Sequence, residues 1–297
     1  MFFSRILIAS FLLSNVLGTT TAQDPVFSRL PAPPTFAARE INCTYQDSNG
    51  LIWFGTDEGL YSYDGYEYRH YDNGVDGDFA VGHILEVEGD LWLGCLHHSG
   101  LWIFDKTSGK AKKADGATGF PSYFSRIHRI GGLVQDGDDI WMNGTLTDRK
   151  TSVLVRHCLR THKCKTYVLR NPPGVDLMEL TGLVLARRNG QLTVWMGSNT
   201  AGLFAFHPMG NQYRNYRLGG AGATIPMQVS LSQTILWVGN DTGVYGLDVD
   251  SHQVRRHFQH RSDTENSLSD SRIRHALEYN GQLWVTTRNG LNQVDLA

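Results

Sequence analysis

From residue 41 to residue 71 short apolar runs alternate with polar turns, and no helical period of ten or more residues runs through them. Leu51, Trp53 and Gly55 interleave with Ile52, Phe54 and Thr56, so neither face of this run is polar. A strand of that kind is covered on both sides. Ser48-Asn49-Gly50 before it is a tight turn, since Asn and Gly tolerate positive φ. Gly59 opens a second run, Leu60–Tyr63, that stops at Asp64-Gly65; an aromatic-rich run, Glu67–Tyr71, follows, and Ile41–Gln46 precedes the turn. The pattern predicts four antiparallel strands, A to D, with Trp53 on strand B.

The pattern returns with Trp92, Trp141, Trp195, Trp237 and Trp284 on strand B, at spacings of 39, 49, 54, 42 and 47 residues. Six of the seven tryptophans hold this one position. A period of about 40–50 residues is that of a four-stranded propeller blade. The expected fold is all-β: a β-propeller of six four-stranded blades over residues 24–297, its tryptophans packed between neighbours. The sixth copy supplies strands A (Arg272–Glu278), B (Leu283–Thr287) and C (Leu291–Val294) before Ala297. Residues 25–30, "PVFSRL", resemble an outer strand without a blade. Pairing them with strand C of the last copy closes the ring; an incomplete seven-bladed ring is the alternative.

The copies resemble the two-component regulator propeller repeat, roughly D-x-x-G-x-[LI]-W-[IVF]-G-T-x-x-G-L-x-x-[YF]-D. Asp47, Gly50, Ile52, Trp53, Gly55, Thr56, Gly59, Leu60, Tyr63 and Asp64 fit it. Residues 263–295, with the Asn-Ser-Leu-Ser-Asp lead-in, fit its longer form; the copy at Trp141 fits poorly. The resemblance implies the periplasmic sensor half of a hybrid two-component system, often a saccharide detector. In such systems two seven-bladed rings precede an immunoglobulin-like domain, a membrane helix and an output module. This sequence has six copies and neither membrane helix nor output module, so the expected signal passes through a missing or separate module.

Composition changes the picture at the N-terminus. Arg5, the apolar run Ile6–Leu13 and small residues at Thr20-Thr21-Ala22 have the layout of a secretory signal peptide, residues 1–22. Without it the net charge moves from −2 to −3, and no long basic run suits a nucleic acid. The expected location is periplasmic or secreted, with no direct membrane insertion.

Candidate chemistry gathers in the B–C loops, which a propeller brings to one face: Asp57 and Glu58, His97 and His98, Asp148 and Arg149, Asn199, Asp241, and Arg288. Carboxylates, amides and guanidinium groups around an axis suit a polyol or an anionic sugar. His97 and His98 with Asp57 have metal-ligand types, yet exposed turn histidines are the plainer reading. "HCLRTHKC" (157–164) holds zinc-ligand types at a spacing that matches no standard knuckle. In an exported protein Cys158 and Cys164, flanking five residues, read better as a disulfide, with Cys43 and Cys95 buried and unpaired. The sequons at Asn42, Asn143 and Asn240 are read as accidental. No catalytic residue set, metal or cofactor is expected. The expected function is an exported ligand-sensing propeller whose partners are an oligosaccharide or other small molecule and a membrane-bound kinase or further propeller domain. The alternative is a stand-alone secreted propeller that binds carbohydrate or protein.

Overall fold

Two-faced strands have to be stacked face to face, and a ring of small sheets does this with the least irregular backbone. In the computed structural model, which describes Pro33, Phe36 and residues 40–71, 79–97, 100–118, 120–170, 179–219, 228–264 and 266–296, the chain forms six antiparallel blades of a β-propeller. Blade one is β1 (Ile41–Gln46), β2 (Ile52–Thr56), β3 (Gly59–Tyr63) and β4 (Tyr68–Tyr71). Blade two is β5 (Val81–Val87), β6 (Asp90–Cys95), β7 (Leu101–Asp105) and β8 (Lys110–Lys113). Blade three is β9 (Ile127–Asp136), β10 (Asp139–Leu146), β11 (Ser152–Cys158) and β12 (Cys164–Leu169). Blade four is β13 (Leu180–Arg188), β14 (Gln191–Ser198), β15 (Gly202–His207) and β16 (Gln212–Tyr216). Blade five is β17 (Gln228–Ser232), β18 (Ile235–Asn240), β19 (Gly243–Asp248) and β20 (Val254–Phe258). Blade six is β21 (Ile273–Tyr279), β22 (Gln282–Thr287) and β23 (Gly290–Asp295), three strands among the described residues. Residues 25–30 lie outside the described residues.

One rule builds the joints. The strand-B tryptophan faces the next blade, and the two apolar residues flanking that next blade's own tryptophan cover it. Trp53 packs with Leu91 and Leu93, and Trp92 with Ile140 and Met142. Trp141 packs with Val194 and Met196, Trp195 with Leu236 and Val238, and Trp237 with Leu283 and Val285. The glycine two residues after the tryptophan makes room for the next blade's inner strand. A Cβ at Gly55 would lie 2.6 Å from the Val81 carbonyl oxygen, and one at Gly94 would lie 2.7 Å from Ile130.

The remaining motif positions are hydrogen-bonding positions. Trp53 Nε1 donates to Asp47 Oδ2 (3.0 Å), while Asp47 Oδ1 accepts from the Asn49 and Leu51 amides (3.0 Å each). Asp64, Asp105 and Asp248 each accept two backbone amides and shape the C–D turns.

The predicted Cys158–Cys164 disulfide is not formed; all four thiols are free. The register explains it: His157 pairs with Cys164, and the Cys158 amide donates to the Lys163 carbonyl (2.9 Å). Cys164 therefore shares a face with His157, while Cys158 is one residue out of step and points to the other face. Asn143 and Asn240, the sequons at strand-B ends, are buried.

Candidate functional site

Four of the six B–C loops are shaped by the side chain of the last residue of strand B. Thr56 Oγ1 donates to the Gly59 carbonyl (3.1 Å) and accepts from the Glu58 amide (3.2 Å). Thr287 repeats this with Gly290 and Asn289 (3.1 Å each). Ser198 accepts from the Ala201 amide (3.2 Å), and Asn240 Oδ1 from the Thr242 amide (2.8 Å). The loop is then tied to the residue just ahead of its own strand A. The amides of Asp57, Leu96, Thr147, Asn199 and Arg288 donate to the carbonyls of Glu40, Ala80, Arg126, Glu179 and Arg272, at 2.8–3.3 Å. Five of the six loops are thus fixed at the same end of their blades, beside the inner strands.

Strand A enters this face through a bulge. The pairing with strand B slips between Ile41 and Cys43, Val81 and His83, Thr181 and Leu183, and Ile273 and His275. The extra residues are Asn42, Gly82, Gly182 and Arg274. Blade three slips twice, and its extra residues are His128 and Gly131. A bulge re-aims side chains and ends the ladder, which is why bulges recur at binding rims. Periodicity in the sequence gave no sign of Asn42, His128 or Arg274, because a bulge interrupts the alternation that periodicity detects.

Electrostatics divides these residues. Arg129 Nη1 donates to the Leu180 carbonyl (3.1 Å), bridging blades three and four. Burial lowers the Arg129 pKa, and Glu179 opposes that shift. Asn199 Nδ2 donates to Glu179 (2.6 Å). His83 is pushed down to about 4, first by burial and then by Arg129, against a hydrogen bond with the Gly131 backbone. Near neutral pH, His83 is uncharged and the cation at this point is Arg129.

The predicted residues fare unequally. Asp57, Glu58, His97, Arg149 and Arg288 are exposed on this face, and Asp241 is half-buried there. His98 lies outside the described residues. Asp148 is committed to its own loop: it accepts from Thr151 Oγ1 (2.6 Å) and from the Lys150 and Thr151 amides (2.9 Å each). The Thr151 hydroxyl and those amides pull its pKa down to about 2. Asn199 joins a residue outside the predicted set, Glu179.

A thiol–imidazole pair lies away from this face. His157 Nδ1 and Cys164 Sγ are 3.1 Å apart, with His157 buried against Trp92, Phe120 and Phe124. Burial pushes Cys164 up to about 11; burial, then His162, pushes His157 down, with Asp139 opposing. Both groups are neutral, so the pair lacks the thiolate a nucleophile needs. Among the described residues no three His, Cys, Asp or Glu side chains cluster to hold a metal. One cavity of about 440 Å³ lies where Val134, Leu185 and Leu231 meet at the far ends of β9, β13 and β17. Another, of about 330 Å³, lies in the 260–269 loop between β20 and β21, whose Ser269 hydroxyl is 2.9 Å from that of Thr287 at the end of β22.

Comparison with known proteins bears on the Asp–Trp–Gly–Thr grammar directly. Residues 35–58 match the family model "Two component regulator propeller". Copy one is a regulator-propeller repeat. No curated protein matches the chain. Among solved structures, the extracellular domain of the hybrid two component system BT4673 from B. thetaiotaomicron is similar at 20% identity and TM-score 0.57, over 86% of this chain and 38% of that one. PorZ, a surface component of the type-IX secretion system of Porphyromonas gingivalis, is similar at 18% identity and TM-score 0.59, over the same shares. The computationally designed Ika8 protein is similar at 13% identity and TM-score 0.52, over 86% of this chain and 70% of that one. The chain thus spans 38% of the length of each of the two natural neighbours. At these identities the likeness is one of fold. Among the described residues no helix is long and apolar enough to cross a membrane.

Proposed function

We propose that this chain is an exported, non-catalytic sensor propeller, and that the B–C loop face is where it binds its ligand. The observation that carries the reading is the tether, repeated in five of the six B–C loops, to the residue ahead of strand A. It holds acceptors and donors from separate blades in fixed positions around one axis, the preorganisation that polyol recognition requires. Arg288, Arg149 and Arg274 supply charge-assisted donors, and Asp57, Glu58 and Asn199 supply acceptors. An oligosaccharide, neutral or acidic, is the ligand class that suits this mixture. Residues 1–22 act as the export signal, and the bound state is passed to a membrane-bound sensor kinase or a further propeller domain.

Calorimetric titration of the chain with a panel of neutral and acidic oligosaccharides tests this. Arg288→Ala and Asn199→Ala should each weaken binding by about tenfold, the loss of one good charged or bidentate hydrogen bond. Lys163→Ala, at the opposite end of blade three, should leave it unchanged. Equal effects from all three, or binding at the far end alone, would remove the reading.

A further inference from the structure

Each closed joint sets a strand-B tryptophan against one position of the next inner strand, the residue paired with the one before that blade's own tryptophan. In blade six this is Glu278, paired with Leu283, and Trp237 Nε1 donates to its Oε2 (2.7 Å). In blade two it is Glu86, paired with Leu91; Lys106 links it to Asp47, the acceptor of Trp53 Nε1. Blade three has Gln135 there, paired with Ile140. Blades four and five have leucines instead, Leu185 paired with Val194 and Leu231 paired with Leu236. The preceding tryptophans register the change. Trp141 and Trp195 are 1% and 0% exposed, and neither indole N–H has an acceptor. A buried donor left unpaired keeps its full desolvation cost, so each is an unmet demand for an oxygen. The same two leucines wall the cavity of about 440 Å³. Val134, opposite Trp141, and Val184, opposite Trp195, complete its apolar lining. Its lip is Gln135, Asp136 and Arg187. Arg187 donates to Asp136 from both Nε (3.4 Å) and Nη2, so the lip carries no net charge.

We propose that this cavity is a second binding site, for a compact neutral molecule with an apolar body and one acceptor oxygen: a ketone, ester or alcohol of medium chain length. It lies at the A–B turn end of blades three to five, the end opposite the B–C loops, and is independent of the ligand face proposed above. Its volume of about 440 Å³ falls in the range of small-molecule sites, about 300–1,000 Å³. The body lies against Val134, Val184, Leu185 and Leu231. The oxygen takes from Trp141 or Trp195 the N–H that Glu278 takes from Trp237. Leu185 and Leu231 are half-buried and stand between the cavity and these indoles, so the oxygen enters as one leucine turns to another rotamer. A sugar does not suit the wall, because its hydroxyls would lose water against four aliphatic side chains. A carboxylate does not suit the lip, because Arg187 is already paired with Asp136 and the added charge would go uncompensated.

Nitrogen–proton correlation spectra of the tryptophan indoles test the site in the full chain, with 2-nonanone, nonanoate and maltotriose as probes. Trp141→Phe and Trp195→Phe variants assign the two resonances. The ketone should move the Trp141 or the Trp195 indole proton downfield, as a new hydrogen bond does, and leave Trp53 and Trp237, already bonded to Asp47 and Glu278, in place. Nonanoate should bind about tenfold or more weakly than the ketone, and maltotriose should move neither indole. Leu185→Glu and Leu231→Glu give the indoles an acceptor from the protein itself. Each should shift its own tryptophan downfield without any probe and weaken the ketone by about tenfold or more. Stationary Trp141 and Trp195 indoles throughout the ketone titration would overturn the proposal. So would equal movement of all four indoles, which marks partition onto the surface, or nonanoate binding as tightly as the ketone. Should the glutamate variants fail to fold, the three titrations of the unsubstituted chain decide the matter alone.

Discussion

Trp141 and Trp284 hold the same position in the repeat and sit in opposite surroundings. Trp141 is buried at the joint of blades three and four, parallel to Tyr167 at 6.3 Å, with the Arg156 guanidinium 5.7 Å from its ring. Trp284 is half-buried at the end of the ring, beside exposed Leu277 and Gln293. The motif runs the other way: "DDIWMNGT" fits the repeat poorly, whereas the sixth copy fits its longer form. The motif records the chemistry of turns and of the gap left for a neighbour. Burial depends on whether that neighbour arrives, and this is information carried some forty residues away.

The largest expected effect tests the contrast itself. Trp195→Ala, at a closed joint, should cost about 3–5 kcal/mol. Trp284→Ala should cost only about 1–2 kcal/mol, because a half-exposed side chain loses less transfer free energy. Urea melts of wild type and the two variants measure both numbers. Equal losses at the two positions would mean that the last blade is as well covered as the others.

Next comes a polar lock that the closed joint of blades one and two possesses. Lys106 donates to Asp47 (3.1 Å) and to Glu86, and Glu86 also accepts from the Ser48 amide (2.7 Å) and hydroxyl (2.8 Å). Burial alone would raise both carboxyl pKa values. Hydrogen bonds from Trp53, Lys106 and the turn amides outweigh it for Asp47, and those from Lys106 and Ser48 outweigh it for Glu86, so both are held below their ordinary value. Folded-state pKa values depressed in this way stabilise the protein above the ordinary carboxylate range of about 4, and that stability is lost as the pH falls through the lowered values. Lys106→Met should cost about 2–3 kcal/mol at neutral pH, the range of a charged, largely buried partner removed. The gap between wild type and variant should close as the pH drops below about 4. A gap that persists at low pH would assign the loss to packing of the lysine stem.

Smaller again is the cost of filling the space left for a neighbour. At Gly55 a methyl would meet the Val81 carbonyl oxygen and Cys43 Sγ, both at 2.6 Å, so Gly55→Ala should cost about 1–3 kcal/mol as overpacking. In blade six the exposed Thr286→Ala should lie within about 0.5 kcal/mol of wild type. A destabilising Thr286→Ala, read by thermal melting, would show that this face of blade six is packed more tightly than its exposure indicates.

These contrasts show what the residues announced and what they withheld. The tryptophan period and the two-faced strands made the blades and their number legible, because both are local patterns. The B–C loops were legible as a face for the same reason, although Asp148 proved to be shaping its own turn. The inner-strand bulges that aim Asn42 and Arg274 were not legible, since one extra residue leaves no mark on a short alternating run. Thr286 in place of glycine was a visible sign that blade six departs from the others, and its meaning rests on knowing what Gly55 and Gly94 make room for.

The smallest expected effect is none at all, and it comes from the hairpin of β11 and β12. A bridge between Cys158 and Cys164 needs the two residues opposite each other, with a five-residue loop between them. The observed hairpin pairs His157 with Cys164 and Cys158 with Lys163, which leaves a four-residue loop and puts the two sulfurs on opposite faces. Forming the bond would slip β12 by one residue and turn buried Tyr167 out of the joint with Trp141 and Phe206. The protein should therefore melt at the same temperature with and without a reducing agent, and denaturation should release four titratable thiols. In the folded state Cys158, whose pKa is lowered by hydrogen bonds from the Thr161 side chain and backbone, should react first with a thiol reagent. Cys43 and Cys95, pushed up to about 12 by burial, should react last. Two thiols instead of four after denaturation, together with a melting temperature that falls on reduction, would show that the hairpin adopts the other register.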